Sequence, residues 1–475
     1  MITETRHGKL SRMVLKAMGI FGGVQMLTIL CGIVRTKLIA VWIGAAGVGL
    51  FSIYNGAIEL VSSLTQFGLR NSSVRDISAN RDSSRLGAIV KAVRRLGWVF
   101  GLLGAVVMLG AAPFLSRKTF GDDGHTWCFA VLALSVFLAS LTAGEMAVMQ
   151  GLERLKALAK ASLWGVVAGF VVSVPVIYVW RLDSVVPAVV AYSVVTTAAA
   201  YIYRVRGVES REPMTARETW DIGRGFVILG AFMVASDFIT QLVSYIFTAW
   251  LNINAGDAEV GYYRSGFTVV NRYVGMVFAA ISMEYYPRLA SVVASRQRLS
   301  LFVGHEMTLV LWILLPLVSV FIACAPLIVT ILYTPDFVVT VPFMVLAMAG
   351  TVWRGISWCM AFVILAKGDG RTYIVTESVS CAFSLVLNIV GYKLWGLAGL
   401  GAAYMLWYLI YTVIVGIVYR RYGLWLPRGV VVLAAVVTAW SAVIATAALM
   451  LPWWVPAVGA VVSTVAAGVW LKRNF

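Results

Sequence analysis

Leu96–Leu115 reads LGWVFGLLGAVVMLGAAPFL, twenty residues without a charge, flanked by Lys91, Arg94 and Arg95 before it and by Arg117 and Lys118 after it. About 20 apolar residues make a helix long enough to cross the hydrocarbon core of a bilayer. A barrel strand would instead alternate apolar and polar residues over about ten positions, and this stretch does not alternate. The stretch therefore reads as a membrane-spanning helix. The rest of the chain repeats the pattern. Apolar runs lie near 17–43, 47–68, 126–150, 158–180, 185–203, 225–251 and 262–286, and then near 306–325, 341–366, 372–392, 396–418, 430–450 and 454–471. With 96–115 they make fourteen spans in 475 residues, so no sizeable soluble domain fits between them.

Composition agrees. The chain is 61% hydrophobic and 12% charged, with a mean hydropathy of +0.89, whereas soluble domains carry about a quarter charged residues. The basic start MITETRHGKLSRMVLK runs into an apolar stretch with no small-residue cleavage site, so an uncleaved first span is expected. Cys31, Cys128, Cys324, Cys359 and Cys381 all fall inside apolar runs, without a CxxC pair, and read as buried small side chains. His7, His125 and His305 have no ligand spacing, so no metal site is expected, and no GxxxxGK[ST] loop is present.

The cations are sorted. With the N-terminus placed inside, 29 of the 38 Lys and Arg residues fall in alternate gaps on one side and only Arg117, Lys118, Arg181 and Lys393 on the other. The positive-inside rule then puts both termini in the cytoplasm. The same sorting accounts for the net charge of +17 without nucleic acid, because no basic soluble module is present to bind it.

A short internal echo divides the chain. Val48-Gly49 and Val260-Gly261 open the second and eighth spans, an offset of 212 residues that matches spans one to six with seven to twelve. An even shift makes a parallel repeat, and transporters built from repeats hold substrate at the repeat interface. The expected fold is an all-α polytopic membrane protein of about 14 spans, with two pseudosymmetric six-helix lobes and two extra C-terminal helices. The divisions are an N-lobe at 1–203, a cytoplasmic linker at 204–224, a C-lobe at 225–420 and a terminal pair at 421–475.

Several stretches carry a family resemblance: RTKLIAVWIGAAGVGLFSIYN (Arg35–Asn55), FGLRNSSVRDI (Phe67–Ile77), YYPRLA (Tyr285–Ala290), APLIVTILYTPDF (Ala325–Phe337), and Trp353–Glu377 with its AKGDGR loop. In order and spacing the chain resembles the Wzx-type O-antigen and enterobacterial-common-antigen translocases. These form the polysaccharide transporter branch of the multidrug/oligosaccharidyl-lipid/polysaccharide (MOP) exporter superfamily. The resemblance implies two lobes around a cavity, in a multi-pass protein of the bacterial inner membrane. It also implies flipping of undecaprenyl-diphosphate-linked oligosaccharide to the outer leaflet. The lipid II flippases of the superfamily carry an essential arginine in span two, where this chain has Glu59, and that departure disfavours lipid II as cargo.

Five cations lie inside spans, where each costs about 2.5–3.5 kcal/mol on insertion scales. Arg272 and Arg354 sit near mid-span, Arg264 toward the outer end of its span, and Arg35 and Lys37 in the outer part of the first. Arginine forks suit phosphate oxygens, so these five, with Asn271 on the stripe Arg264–Thr268–Asn271, are the candidate substrate residues. Arg35 and Lys37 lie about 200° apart on a helix and cannot face one lumen. Snorkelling to headgroups or pairing with a buried acid would explain the same cations structurally. Glu59 and Asp237 are the candidate ion-coupling or gating acids, with H⁺ or Na⁺ both open, and Glu145 and Glu377 are weaker ones. Tyr54, Trp353 and Trp358 are candidates for sugar stacking, although interface belts and helix packing explain most such aromatics.

A transporter is expected, not an enzyme, with no cofactor. Its partners are the lipid-linked glycan and the bilayer, with a functional link to a glycan polymerase, and pseudosymmetric lobes allow a monomer to suffice. A multidrug-type exporter of small cations is the competing class, but net positive charge in the cavity would repel that cargo. A glycan-joining membrane enzyme would need a large outer loop, and the outer gaps here are short.

Overall fold

A computed structural model describes residues 23–24, 26–66, 68–81, 83–209 and 214–474. Every regular element among them is helical: α1 (26–42), α2 (Ala45–Thr65), α3 (Leu69–Ala79), α4 (Leu86–Phe120), α5 (Thr126–Gly151), α6 (Leu155–Trp180) and α7 (Val185–Ile202). Then follow α8 (Ala216–Ala255), α9 (Asp257–Val292), α10 (Arg296–Leu332), α11 (Val341–Ala366), α12 (Gly370–Arg421), α13 (Arg428–Met450) and α14 (Trp454–Asn474). Among the described residues, nine helical segments are long and apolar enough to cross a membrane. Two of them, Leu155–Ile202 and Gly370–Arg421, each contain two of the expected spans. The start of the first span at 17–22, the basic residues before it, and positions 210–213 of the linker lie outside the described residues.

Charged residues do not end these helices. α4 has 35 residues, about 52 Å at 1.5 Å per residue, well beyond the roughly 30 Å hydrocarbon core. Its surface is sorted the way lipid demands. Gly97, Gly101, Gly104, Met108 and Ala112 are buried, while Leu102, Val106 and Leu109 are exposed. Small residues let helices approach where no hydrophobic effect drives them together, and large apolar side chains meet the acyl chains. Apolarity missed one element. α3, with the sequence LRNSSVRDISA, is a short helix whose Leu69 and Ile77 pack into a core with Val90, Val93, Phe100 and Val148.

The chain packs as two compact units, the described residues up to Val260 and those from Gly261 onward. In the first, α4 packs on α5, α6 on α7, and α8 on α2, α3 and α4. Packing therefore sets α8 with the first unit, whereas the repeat reading groups its span with the second half. In the second unit α11 packs on α12, and α13 and α14 flank α10. α12 holds two expected spans across a break at Trp395 and Gly396, where Gly396 takes φ 58°. Glycine adopts that left-handed conformation at no steric cost. At the other end of α12 the AKGDGR loop is held as a cap. Asp369 accepts from the Thr372 and Tyr422 hydroxyls, each at 2.7 Å, and from the Thr372 amide. These bonds, that of the Thr372 hydroxyl foremost, keep the Asp369 carboxyl below its ordinary pKa.

The α11–α12 contact is unusually close. A Cβ on Gly350 would come 2.6 Å from Met405 Cα, closer than backbone tolerates. Gly350 lies one turn before Arg354 on α11, and Met405 follows Tyr404 on α12, so this approach brings Arg354 to Tyr404. Gly350→Ala is expected to cost about 1–3 kcal/mol by overpacking. The measurement is a lowered melting temperature of the purified protein.

Candidate functional site

In the second unit, helix spacing and the Gly350 approach aim Arg354 of α11 at α9 and α12. Its Nη1 donates to Asn271 Oδ1 at 2.7 Å and to the Tyr404 hydroxyl at 3.1 Å. The guanidinium also lies 5.6 Å from the ring centroids of both Phe278 and Tyr408. Asn271 is oriented by donating its own amide to Phe267 O at 2.9 Å. Among the described residues, none of these partners is a carboxylate. Among the described residues a buried-acid ion pair is therefore not what holds Arg354. Of the expected residues, Arg354 and Asn271 meet. Arg264 is half-buried two turns earlier on α9, and Arg272 is exposed on that helix, next to Asn271 in sequence but on a different azimuth.

Tyr404, Tyr408 and Tyr411 repeat at helical spacing and line one face of α12. The Tyr411 hydroxyl donates to Glu377, on the other half of α12. Tyrosines at that spacing were the available sequence signal for this wall, hidden among the chain's 19 tyrosines.

The first unit carries a second cationic site. Arg35 of α1 lies 4.9 Å from the Phe51 centroid and 4.6 Å from that of Tyr192. It lines a cavity of about 380 Å³ among α1, α2, α3, α5, α6 and α7. Lys37, half-buried two residues on, is not part of that lining, in keeping with its opposite azimuth. A neighbouring cavity of about 550 Å³ brings Glu59 of α2 and Asp237 of α8 together with Gln241 and Arg70. The two acids were separate residues in the sequence, and the packing of α8 on α2 joins them.

Other acids and aromatics have structural partners. Arg94 of α4 pairs with Glu145 of α5 at 2.8 Å and with Glu209, and donates to Val205 O at 2.8 Å. The Tyr54 hydroxyl meets His125 Nδ1 at 2.8 Å. Trp358 stacks on Phe278 and Tyr285 at 5.2 and 5.3 Å. Trp353 lines an apolar cavity of about 650 Å³ beside α13, with Arg420 among its lining residues.

A family described as "Polysaccharide biosynthesis protein" matches residues 38–342, more than half of the chain. The chain belongs to that family. The match covers Glu59, Asp237 and the Arg264–Arg272 stripe, starts just after Arg35 and Lys37, and ends before Arg354. Within the polysaccharide biosynthesis family, the chain is similar to the lipid III flippases of Escherichia coli (strain K12) and Shigella flexneri. Each is 22% identical over 392 residues, covering 80% of this chain and 92% of the relative. The fold is similar to that of the lipid II flippase MurJ in an inward closed conformation, with a TM-score of 0.72, 10% identity, and coverage of 96% of this chain and 99% of the other. It is also similar to an inward-facing multidrug resistance MATE family transporter of the MOP superfamily, with a TM-score of 0.68, 15% identity, and coverage of 85% and 97%. At these identities the likeness concerns the fold alone. The chain is thus a multi-pass, all-helical membrane protein with the MOP fold that its motifs resemble.

Proposed function

We propose that this chain is a flippase that moves undecaprenyl-diphosphate-linked oligosaccharide from the cytoplasmic to the outer leaflet of the bacterial inner membrane. It works by alternating access of two pseudosymmetric six-span lobes, with both termini cytoplasmic, and serves surface polysaccharide synthesis of the lipid III or O-antigen kind. The observation that carries this reading is Arg354, a guanidinium in the second unit held only by neutral partners among the described residues. An inward-facing cation without a carboxylate marks a path for an anion, and a diphosphate is the anion that such a lipid carries. Arg264, Asn271 and Arg272 extend this cationic route along α9, and Lys37 faces the outer headgroups. The same positive charge opposes a small cationic drug as cargo. The apolar cavity beside α13 suits the polyprenyl tail.

Glu59 and Asp237, in one cavity with Gln241, are the acids proposed to couple flipping to an H⁺ or Na⁺ gradient. The test uses the full chain in proteoliposomes loaded with lipid-linked oligosaccharide, lipid II or a cationic dye. Flipping of the oligosaccharide lipid alone is expected. In the double variant Glu59→Gln with Asp237→Asn, an imposed gradient no longer accelerates it. Transport of the dye without any flipping of the glycan lipid would overturn the proposal.

A further inference from the structure

The two halves of α12 are fastened to each other by polar contacts. Asp369 accepts from the Tyr422 hydroxyl at the open end, Glu377 accepts from the Tyr411 hydroxyl, and Trp407 Nε1 donates to Ser380 Oγ at 2.8 Å. Near the break, Gly391 and Gly399 meet backbone to backbone, and a Cβ on Gly391 would come 2.5 Å from Gly399 O. One of these contacts is unlike the others. Glu377 is a partly buried carboxyl inside an apolar span, and among the described residues its one polar partner is the neutral Tyr411 phenol. A hydroxyl such as that of Ser380 fastens the same two halves without the cost of an acid at membrane depth. Helix pairing alone therefore does not account for a carboxyl at this position.

The tyrosine face of α12 leads from Glu377 to Arg354. Tyr411, Tyr408 and Tyr404 follow at helical spacing. The Tyr408 and Tyr404 rings are 4.8 Å apart. Tyr404 accepts from Arg354 Nη1 at 3.1 Å, and the guanidinium lies 5.6 Å from the Tyr408 centroid. Tyr408 is thus close enough to both Arg354 and Glu377 to feel the charge of each. Tyr373, one turn before Glu377, lies near Tyr411. These phenols and Arg354 are the titratable and charged groups that face the carboxyl from α11 and from both halves of α12. Phenols ordinarily titrate near about pH 10 and arginine stays charged, so Glu377 is the member of the set whose charge can change.

Linkage gives the sign. Without an anion at the site, an ionised Glu377 attracts Arg354 across the phenol layer. A diphosphate on Arg354 replaces that attraction with repulsion between anions, so its arrival favours proton uptake by the carboxyl. Reciprocity then makes proton uptake favour the diphosphate by the same factor.

We propose that Glu377 is a positioning residue for the diphosphate, which acts through Tyr411, Tyr408 and Tyr404 and sets by its protonation how far the Arg354 charge is free to bind the anion. The inference rests on the flippase reading of Arg354.

The test is calorimetric titration of the detergent-solubilised full chain with inorganic pyrophosphate between about pH 6 and pH 8, in two buffers of different ionisation heat. The probe's own titration is common to all variants, so comparison with Glu377→Gln isolates the carboxyl. As the pH falls across this range, the wild type is expected to gain about tenfold more affinity than Glu377→Gln and to take up about one more proton per pyrophosphate. Glutamine keeps an acceptor for the Tyr411 hydroxyl, so this variant melts where the wild type does. Tyr411→Phe removes a donor that favours the ionised carboxylate, and it moves the pH dependence of affinity to higher pH. Arg354→Met abolishes binding throughout. Identical pH dependence and proton uptake in the wild type and Glu377→Gln would overturn the role of Glu377 and leave Arg354 as the anion site. Pyrophosphate binding that persists unchanged in Arg354→Met would instead remove the flippase reading of Arg354, and this inference with it.

Discussion

Arg354→Ala is expected to stop export of the lipid-linked glycan while the protein still inserts at its normal level. Arg354 sits where α9, α11 and α12 meet, bonded to Asn271 and Tyr404 and set against Phe278 and Tyr408. Each charge-assisted bond to a phosphate oxygen is worth about 1.5–3 kcal/mol. Loss of two such bonds therefore lowers transport by about 100-fold or more. Truncation also leaves a hole between two rings, so Arg354→Met is the cleaner variant. It refills the volume, keeps the melting temperature, and should lose export equally. Arg354→Lys retains the charge but has no planar fork for two phosphate oxygens, and an intermediate rate is expected. Arg272→Ala, at an exposed position on α9, should give a smaller loss than Arg354→Ala. The readout is surface glycan in a strain that depends on this protein, with membrane levels measured by immunoblot. Normal export by well-inserted Arg354→Met would remove this arginine from the mechanism.

The second large effect is on stability. Arg94→Ala is expected to destabilise the first unit by about 3–5 kcal/mol, the cost of leaving a buried charge unpaired. Glu145 is 3% exposed and Arg94 10%, so water reaches neither end of the pair well. Arg94 also holds Glu209 and the Val205 carbonyl, tying the segment after α7 to α4 and α5. The double variant Arg94→Met with Glu145→Leu removes both charges and should recover most of the loss, because an apolar pair of similar volume can replace a buried ion pair at little cost. Thermal melts of the purified single and double variants decide it. A double variant as unstable as Arg94→Ala would show that the pair is not the source of the effect. The same pairing gives Glu145 a buried ionic partner on α4.

Much of the architecture was legible because lipid imposes a length. The predominantly apolar stretches of about 20 residues and the long helices that carry them are one physical constraint seen twice. Even the division near residue 395 inside α12 was readable. The misses have local causes. α3 is too polar for an apolarity criterion, since only two of its residues, Leu69 and Ile77, join the core cluster. α4 and α10 overran their apolar stretches because basic residues are good helix formers and nothing stops a helix at the membrane surface.

The site was legible only in its parts. Buried arginines and acids are expensive in a span, so Arg35, Arg354, Glu59 and Asp237 stood out one by one. Which of them meet is a different kind of fact. Arg354 reaches Asn271 across 83 residues and Tyr404 across 50, and Gly350, an unremarkable residue in the sequence, sets the helix approach that allows it. The hydroxyls of Thr142, Ser193 and Thr196 and one amide N–H of Asn55 donate to carbonyls of their own helices, which no pattern in the sequence shows. By itself the sequence determined that this is a multi-pass helical membrane protein with a few charges inside its apolar stretches, because transfer into lipid acts on each stretch independently. Only the tertiary structure decided which charges share a cavity and with what partners, because those depend on side chains distant in the chain meeting at hydrogen-bond range.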